Sequence, residues 1–273
     1  MRTGLWPVLF LCTVFFPPAS AGQWPLSAPA ISIIIDDMGK RLDAGRRVLA
    51  LPGPVACAFL PRARYTPSLA NTAHAVGKEV MLHLPMDSVD RRPLDAGAVT
   101  LDMTEQQFVS TVKADLAAVP HVIGINNHMG SLLTRHPGHM LWLMRLMQRQ
   151  SPLFFVDSRT TVETVARLVA MENGVPASER NVFLDNQLDT GEIAVQFDRL
   201  LQLARKQGTA LAIGHPNALT LAVLEQRLPE LEQQGIRLLP VSELIEIQQR
   251  GEHTWQASWS RSHKDAKNSK PSL

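Results

Sequence analysis

The sequence predicts an α/β fold of parallel strands, buried on both faces and covered by helices. Two observations carry this. Short apolar runs recur along the chain and are nearly continuous rather than alternating, as expected of strands buried on both sides. Between them lie longer segments with apolar residues at helical spacing and with helix start and stop residues. Strand–helix units repeated over 273 residues fit a β/α barrel or an open doubly wound sheet, built as a single domain.

The chain begins outside that domain. Arg2 is followed by an apolar run, Leu5 to Phe16, and by Ala19-Ser20-Ala21, a small-residue cleavage pattern. Residues 1–21 therefore read as a secretory signal peptide. The run is shorter than the roughly 20 residues a membrane span needs, so no stable membrane insertion is expected after cleavage. Residues 22–30 form a short Pro-containing leader. The predicted strands are Ile31 to Ile35, Val55 to Leu60, Glu79 to Leu82, Val122 to Ile125, Leu153 to Val156, Val182 to Leu184, Ala210 to Ile213 and Arg237 to Leu239.

Three helices are legible in detail. "TEQQFVSTVKADL" opens with Thr104 and Gln107 at capping-box spacing and repeats Phe108, Val112 and Leu116 on one side. "HMLWLMRLMQRQ" carries Met140, Leu143, Met144 and Met147, a core-packing stripe. "GEIAVQFDRLLQLARKQG" carries Ile193, Phe197, Leu200, Leu201 and Ala204, with Gly208 as a C-terminal stop. The domain is expected over 31–250. Residues 251–273 turn polar and read as a disordered tail that Trp255 and Trp259 could tack down.

Composition excludes several functions. The formal net charge is +2, so no strong field points to nucleic acid or to a membrane surface. There is no Gly-x-Gly-x-x-Gly and no Walker loop, which argues against dinucleotides and nucleoside triphosphates. After signal removal Cys57, in "VACAFL", is the one cysteine left and reads as a small core residue.

Polar residues cluster where the apolar runs stop. Asp36 and Asp37 follow the first strand, and His83 ends "VMLH". Asn126, Asn127 and His128 follow "VIGI", and Asp157, Ser158 and Arg159 follow "LFFV". Asp185 follows "VFL", and His215 ends "LAIGH". If the strands are parallel, all these groups meet at the C-terminal rim, where ligands bind in such folds. Gathering ionisable groups in a partly dry cleft is costly unless they bind something. A divalent cation held by two histidines and a carboxylate meets that need. The available ligands are Asp37 or Asp36, His83 and His128, with His215 as a competitor. Without thiolates, nitrogen and oxygen ligation predicts zinc first, then nickel, cobalt or manganese. Successive strand side chains alternate faces, so Asp36 and Asp37 share a site only if the backbone turns there, as Met38-Gly39 would permit. One carboxylate would then hold the cation and the other serve as general base. His215 would serve the leaving group, with Asp157 or Asp185 orienting it. Asn126 and Asn127 would donate to substrate oxygens.

In order, "IIIDDMG", "HLPM", "GINNHMGS", "DSRTT" and "AIGHP" resemble the motifs of the divergent polysaccharide deacetylases, a distant branch of the carbohydrate esterases with the NodB-homology domain. The resemblance runs from about Ile31 to Leu244. It implies a deformed (β/α)7-type barrel, with Arg237 to Leu239 outside it, and metal-dependent removal of N- or O-acetyl groups from a cell-envelope glycan. By position it implies Asp36 as base, Asp37 as metal ligand and His215 as the group that assists the leaving group; the reading of the strand ends adds His83 and His128 as the other metal ligands and Asp157 as a further catalytic group. Asn126, Asn127, Arg159 and Asp185 would contact substrate, with Arg159 standing for the Arg-x-Pro motif of relatives. The chain lacks their His-Ser/Thr-x-x-His segment, so its two histidine ligands must come from separate strands. The expected partner is an acetylated glycan and the expected location the periplasm. A catalytically weak metal-binding regulator and another metal-assisted hydrolase are the alternative readings.

Overall fold

The computed structural model describes residues 28–150 and 153–251. The signal peptide, most of the leader and all but the first residue of the polar tail lie outside the described residues. Nine strands form one sheet: β1 (Ala30–Met38), β2 (Ala56–Phe59), β3 (Val80–Met86), β4 (Val122–Met129), β5 (Phe154–Asp157), β6 (Ala177–Glu179), β7 (Val182–Phe183), β8 (Thr209–Gly214) and β9 (Arg237–Leu238). Their spatial order is β6-β5-β4-β3-β2-β1-β8-β7, and every pairing is parallel. The sheet curls into a partial barrel. As expected of the last strand, β9 stands off this path. It pairs Ala30 and Ile31 at the foot of β1, below the point where β2 begins at Ile34.

The helices are α1 (Leu42–Leu49), α2 (Thr66–Ala75), α3 (Glu105–Ala118), α4 (Pro137–Arg149), α5 (Ala166–Glu172), α6 (Thr190–Gln207), α7 (Ala218–Arg227) and α8 (241–251). Thr104 caps α3 through the capping box read from its sequence, with its hydroxyl accepting from Gln107 N. The α6 stripe of Ile193, Phe197, Leu200, Leu201 and Ala204 is fully buried, and Gly208, at φ 87°, ends that helix. The α4 methionines are core residues, and Cys57 is buried.

The strands sort their side chains by parity. Ile31, Ile33 and Ile35 of β1 join a large core with residues of α1 to α7. Ile34 faces the other way, into a smaller core with Ala56, Ala58, Met81, Phe154, Val156, Leu211 and Ile213. Val241, Leu244 and Ile245 of α8 plug this inner core from the N-terminal end of the strands. The Glu79 carboxylate fixes the plug by accepting from Val241 N at 2.6 Å and Ser242 N at 3.2 Å. The inner face is therefore packed below and open to chemistry only at the upper rim.

The differences from the sequence reading have one cause. β3 and β4 run four residues beyond their predicted ends, to Met86 and Met129, because hydrogen bonding continues after the apolar pattern stops: His83 pairs with Asn126 and Pro85 with His128. The short β6, in polar sequence, gives no apolar signal at all.

Candidate metal centre and active site

The two aspartates that end "IIIDD" reach the same site through a bulge. Ile35 of β1 pairs with Cys57 and Met38 with Phe59, so three steps on β1 match two on β2. Asp37 supplies the extra residue with φ 54°, in the left-handed region that aspartate tolerates better than most residues. The backbone turns at Asp37 itself and again at Gly39, at φ 104°. Asp36 thus keeps the inward parity of Ser32 and Ile34, and Asp37 is swung in beside it.

Parity then selects the other groups. His83 shares the inner face with Met81; Asn126 and His128 share it with each other; His215 shares it with Leu211 and Ile213. One ligand atom each from Asp37, His83 and His128 lies within 4.8 Å of the other two. His128 Nδ1 is 3.1 Å from Asp37 Oδ1, and His83 Nε2 is 3.5 Å from it. The two ring nitrogens are 3.0 Å apart.

The network around these rings fixes which nitrogens carry hydrogen. Asn126 donates through Nδ2 to Asp36 Oδ1 at 2.7 Å, so its Oδ1 accepts from His83 Nδ1 at 2.8 Å. With the ring neutral, His83 Nε2 is a bare lone pair; burial opposes charging this ring, but Asp36 and Asp37 outweigh it and raise its pKa, so in the metal-free protein the same nitrogen can also carry a proton shared with Asp37. His128 Nε2 lies 3.0 Å from Asp95 Oδ2, which accepts its hydrogen and leaves Nδ1 bare as well. Two lone pairs and a carboxylate oxygen thus face one point. Asp37 Oδ1 is buried and has no hydrogen bond of normal geometry. Such a donor set fits a divalent cation with nitrogen and oxygen ligands.

His215 stands opposite on β8. Its Nδ1 donates to Asp185 Oδ1 at 3.0 Å, and Asp185 Oδ2 accepts from His215 N, Asn217 Nδ2 and Thr220 Oγ1. Burial opposes charging this ring. The hydrogen bond to Asp185 and the charges of Asp36 and Asp37 outweigh it, so the pKa rises to about 9 and the ring is cationic at neutral pH. Burial raises the Asp36 pKa against the pull of His83 and His215. At Asp37 the same penalty is overcome by the two imidazoles, which hold its carboxyl far below the usual range. A cleft of about 200 Å³, lined in part by Asp37, Lys40, Arg41, His215 and Asn217, opens beside these groups.

The remaining residues named from sequence lie around this centre. Asn127 has the opposite parity to Asn126; it accepts from Ser158 N and donates to Met129 O, bracing the β4 and β5 loops. Asp157 shares the outward parity of Phe155 and accepts from Arg159 N and Thr164 Oγ1. Asp185, not Asp157, holds His215. Arg159, at φ 48°, pairs with Glu179 at 3.2 Å. Two residues escaped the sequence reading. Arg180 donates to Ser158 O and Arg159 O and stacks over Phe183, whose ring edges against His215. Asp95 reaches His128 from the long β3–α3 loop. Neither follows an apolar strand, the one signal that marked the others.

Known proteins resemble this chain in sequence and in fold. The chain is 36% identical over 221 residues to the uncharacterized protein YibQ of Escherichia coli, covering 81% of this chain and 69% of that protein. It is 34% identical over 218 residues to an uncharacterized protein of Haemophilus influenzae, covering 80% and 78%. The crystal structure of an uncharacterized Agrobacterium tumefaciens protein superposes with a TM-score of 0.76 at 18% identity, covering 80% of this chain and 89% of that one, which shows a shared fold. The sequence pattern of one family matches residues 33–245, a span that holds Asp36, Asp37, His83, His128 and the Asp185–His215 pair. The chain belongs to the divergent polysaccharide deacetylases.

Proposed function

We propose that this protein is a metal-dependent deacetylase that removes N- or O-acetyl groups from a cell-envelope polysaccharide, acting in the periplasm after export, with zinc as its metal. The observation that carries the reading is the convergence of two lone-pair imidazole nitrogens and an unpartnered carboxylate oxygen beside a second carboxylate and a cationic histidine. When bound, the divalent cation would supply Lewis acidity at the acyl group and acidify its water.

Every other role falls to the chain. Asp37, His83 and His128 hold the cation. Asp36, 3.5 Å from His83 and fixed by Asn126, takes the proton of the attacking water as general base. It needs its ionised form for this, which a nearby cation favours against burial. His215, held by Asp185, gives its proton to the departing amine or alcohol and stabilises the negative charge that develops in the transition state. Asn126 is committed to Asp36 and His83, so it orients the base and a ligand. Asp185 is committed to His215 and Arg159 to Glu179, so neither is free to contact substrate in this arrangement.

The test is acetate release from acetylated chitooligosaccharides and peptidoglycan fragments, by protein stripped with chelator and then reloaded with zinc. Zinc-dependent release that disappears in Asp36→Asn supports the assignment. A protein that binds zinc yet releases no acetate from any of these substrates, with Asp36→Asn indistinguishable from wild type, overturns it.

A further inference from the structure

We propose that Asp95 is the positioning residue of the metal centre, setting the tautomer and orientation of His128. The inference rests on the metal reading above. His128 presents Nδ1, the nitrogen nearer the backbone, toward Asp37 and His83, and a neutral imidazole can ligate through Nδ1 only if its hydrogen is on Nε2. Something must hold that hydrogen. For His83 the holder is Asn126, from the neighbouring strand. For His128 it is Asp95 Oδ2, at 3.0 Å from Nε2. A carboxylate behind a ligating histidine fixes the ring and raises its basicity.

The site for this contact is built rather than incidental. Lys40 Nζ donates to the same Asp95 oxygen at 3.2 Å and lies 3.7 Å from Asp37 Oδ2, tying the two carboxylates together across the centre. The loop that carries Asp95 is pinned at its base, where Asp87 N donates to Val99 O and Val99 N to Pro85 O. Gly97, at φ +91°, lets the backbone pass against Asp115, whose carboxylate oxygens would lie 2.6 and 2.8 Å from a Cβ there. The loop has little freedom to carry Asp95 away. A chain whose two histidines come from different strands lacks the mutual orientation that neighbouring positions on one segment provide, and Asp95 restores it for the more exposed of the two.

Zinc affinity is measured by competition with a chelator in wild type, Asp95→Ala, Asp95→Asn and Asp90→Ala, a carboxylate of the same loop that faces Arg92. Asp95→Ala is expected to bind zinc roughly 10- to 100-fold more weakly. Asp95→Asn keeps an acceptor for the Nε2 hydrogen and should lose less, while Asp90→Ala should match wild type. In the metal-free protein at alkaline pH, ¹⁵N NMR should place the His128 hydrogen on Nε2 in wild type and Asp95→Asn. In Asp95→Ala it should move to Nδ1, where Asp37 Oδ1 and His83 Nε2 remain as acceptors. Zinc affinity in Asp95→Ala within twofold of wild type, an equal loss in Asp90→Ala, or an unmoved His128 hydrogen each overturns the inference. A wild-type protein that binds no zinc overturns instead the metal reading beneath it.

Discussion

Asp36 and Asp37 are chemically identical neighbours placed in different surroundings by one backbone torsion. The bulge at Asp37 turns its carboxylate onto two imidazoles, while strand parity keeps Asp36 against Asn126 and His83. Their substitutions should therefore separate. Asp36→Asn leaves the three ligands intact, so zinc affinity should persist while acetate release falls by about two to four orders of magnitude, the range for a lost general base. Asp37→Asn should lose zinc first and activity with it, as read by metal content after dialysis. His215 supplies a third expectation at this scale. Its folded pKa of about 9 exceeds the ordinary 6.5, so it holds its proton through neutral pH and releases it only as pH rises through about 9. A bound divalent cation offsets the charges of Asp36 and Asp37, so activity that needs that proton should fall on the alkaline side, with a limb below this metal-free value. Asp185→Asn keeps an acceptor for Nδ1 but removes the charge, and it should shift this limb to lower pH in the rate profile. A limb that stays put in Asp185→Asn would show that His215 is not the acid.

At the scale of elements, the strands explain both what the sequence revealed and what it hid. Apolar runs marked β1 to β5, β7, β8 and β9, and their ends marked the rim, because burial on both faces demands continuous apolar residues. The ends of β3 and β4 were misplaced because the strand persists into the site, where polar side chains replace apolar ones. Parity was hidden, because strands apolar on both faces do not show which face is inner: once the structure marks Ile34, Met81 and Ile213 as inward, counting by twos reaches Asp36, His83 and His215, and counting from the outward Phe155 removes Asp157 from the site. Asp95 and Arg180 were hidden because loop positions carry no periodicity. The lower rim has its own device in Glu79, which closes the barrel by capping α8. Glu79→Ala would leave the buried Val241 and Ser242 amides unsatisfied, at about 1–3 kcal/mol. Urea denaturation should show that loss, with zinc affinity unchanged because the ligands sit at the opposite end of the strands.

For the whole molecule, the placement of the ligands on β1, β3 and β4 has a thermodynamic consequence. These strands are spatial neighbours through β2, yet their ligands lie 46 and 45 residues apart in sequence, Asp37 to His83 and His83 to His128. The unfolded chain has no reason to hold the three side chains together, whereas the folded sheet presents them within 4.8 Å of one another. A cation that binds only the folded state stabilises it by mass action, by about 2.7 kcal/mol when its free concentration is 100 times Kd. For a domain of this size that corresponds to a rise in Tm of roughly 5–10 °C. Differential scanning calorimetry of the protein with saturating zinc and then with excess chelator should show this rise and its reversal. The His83→Ala, His128→Ala double variant should melt at one temperature in both conditions. A zinc-induced rise that survives in the double variant would place the stabilising cation elsewhere on the molecule, and the three strands would lose their claim to a shared centre.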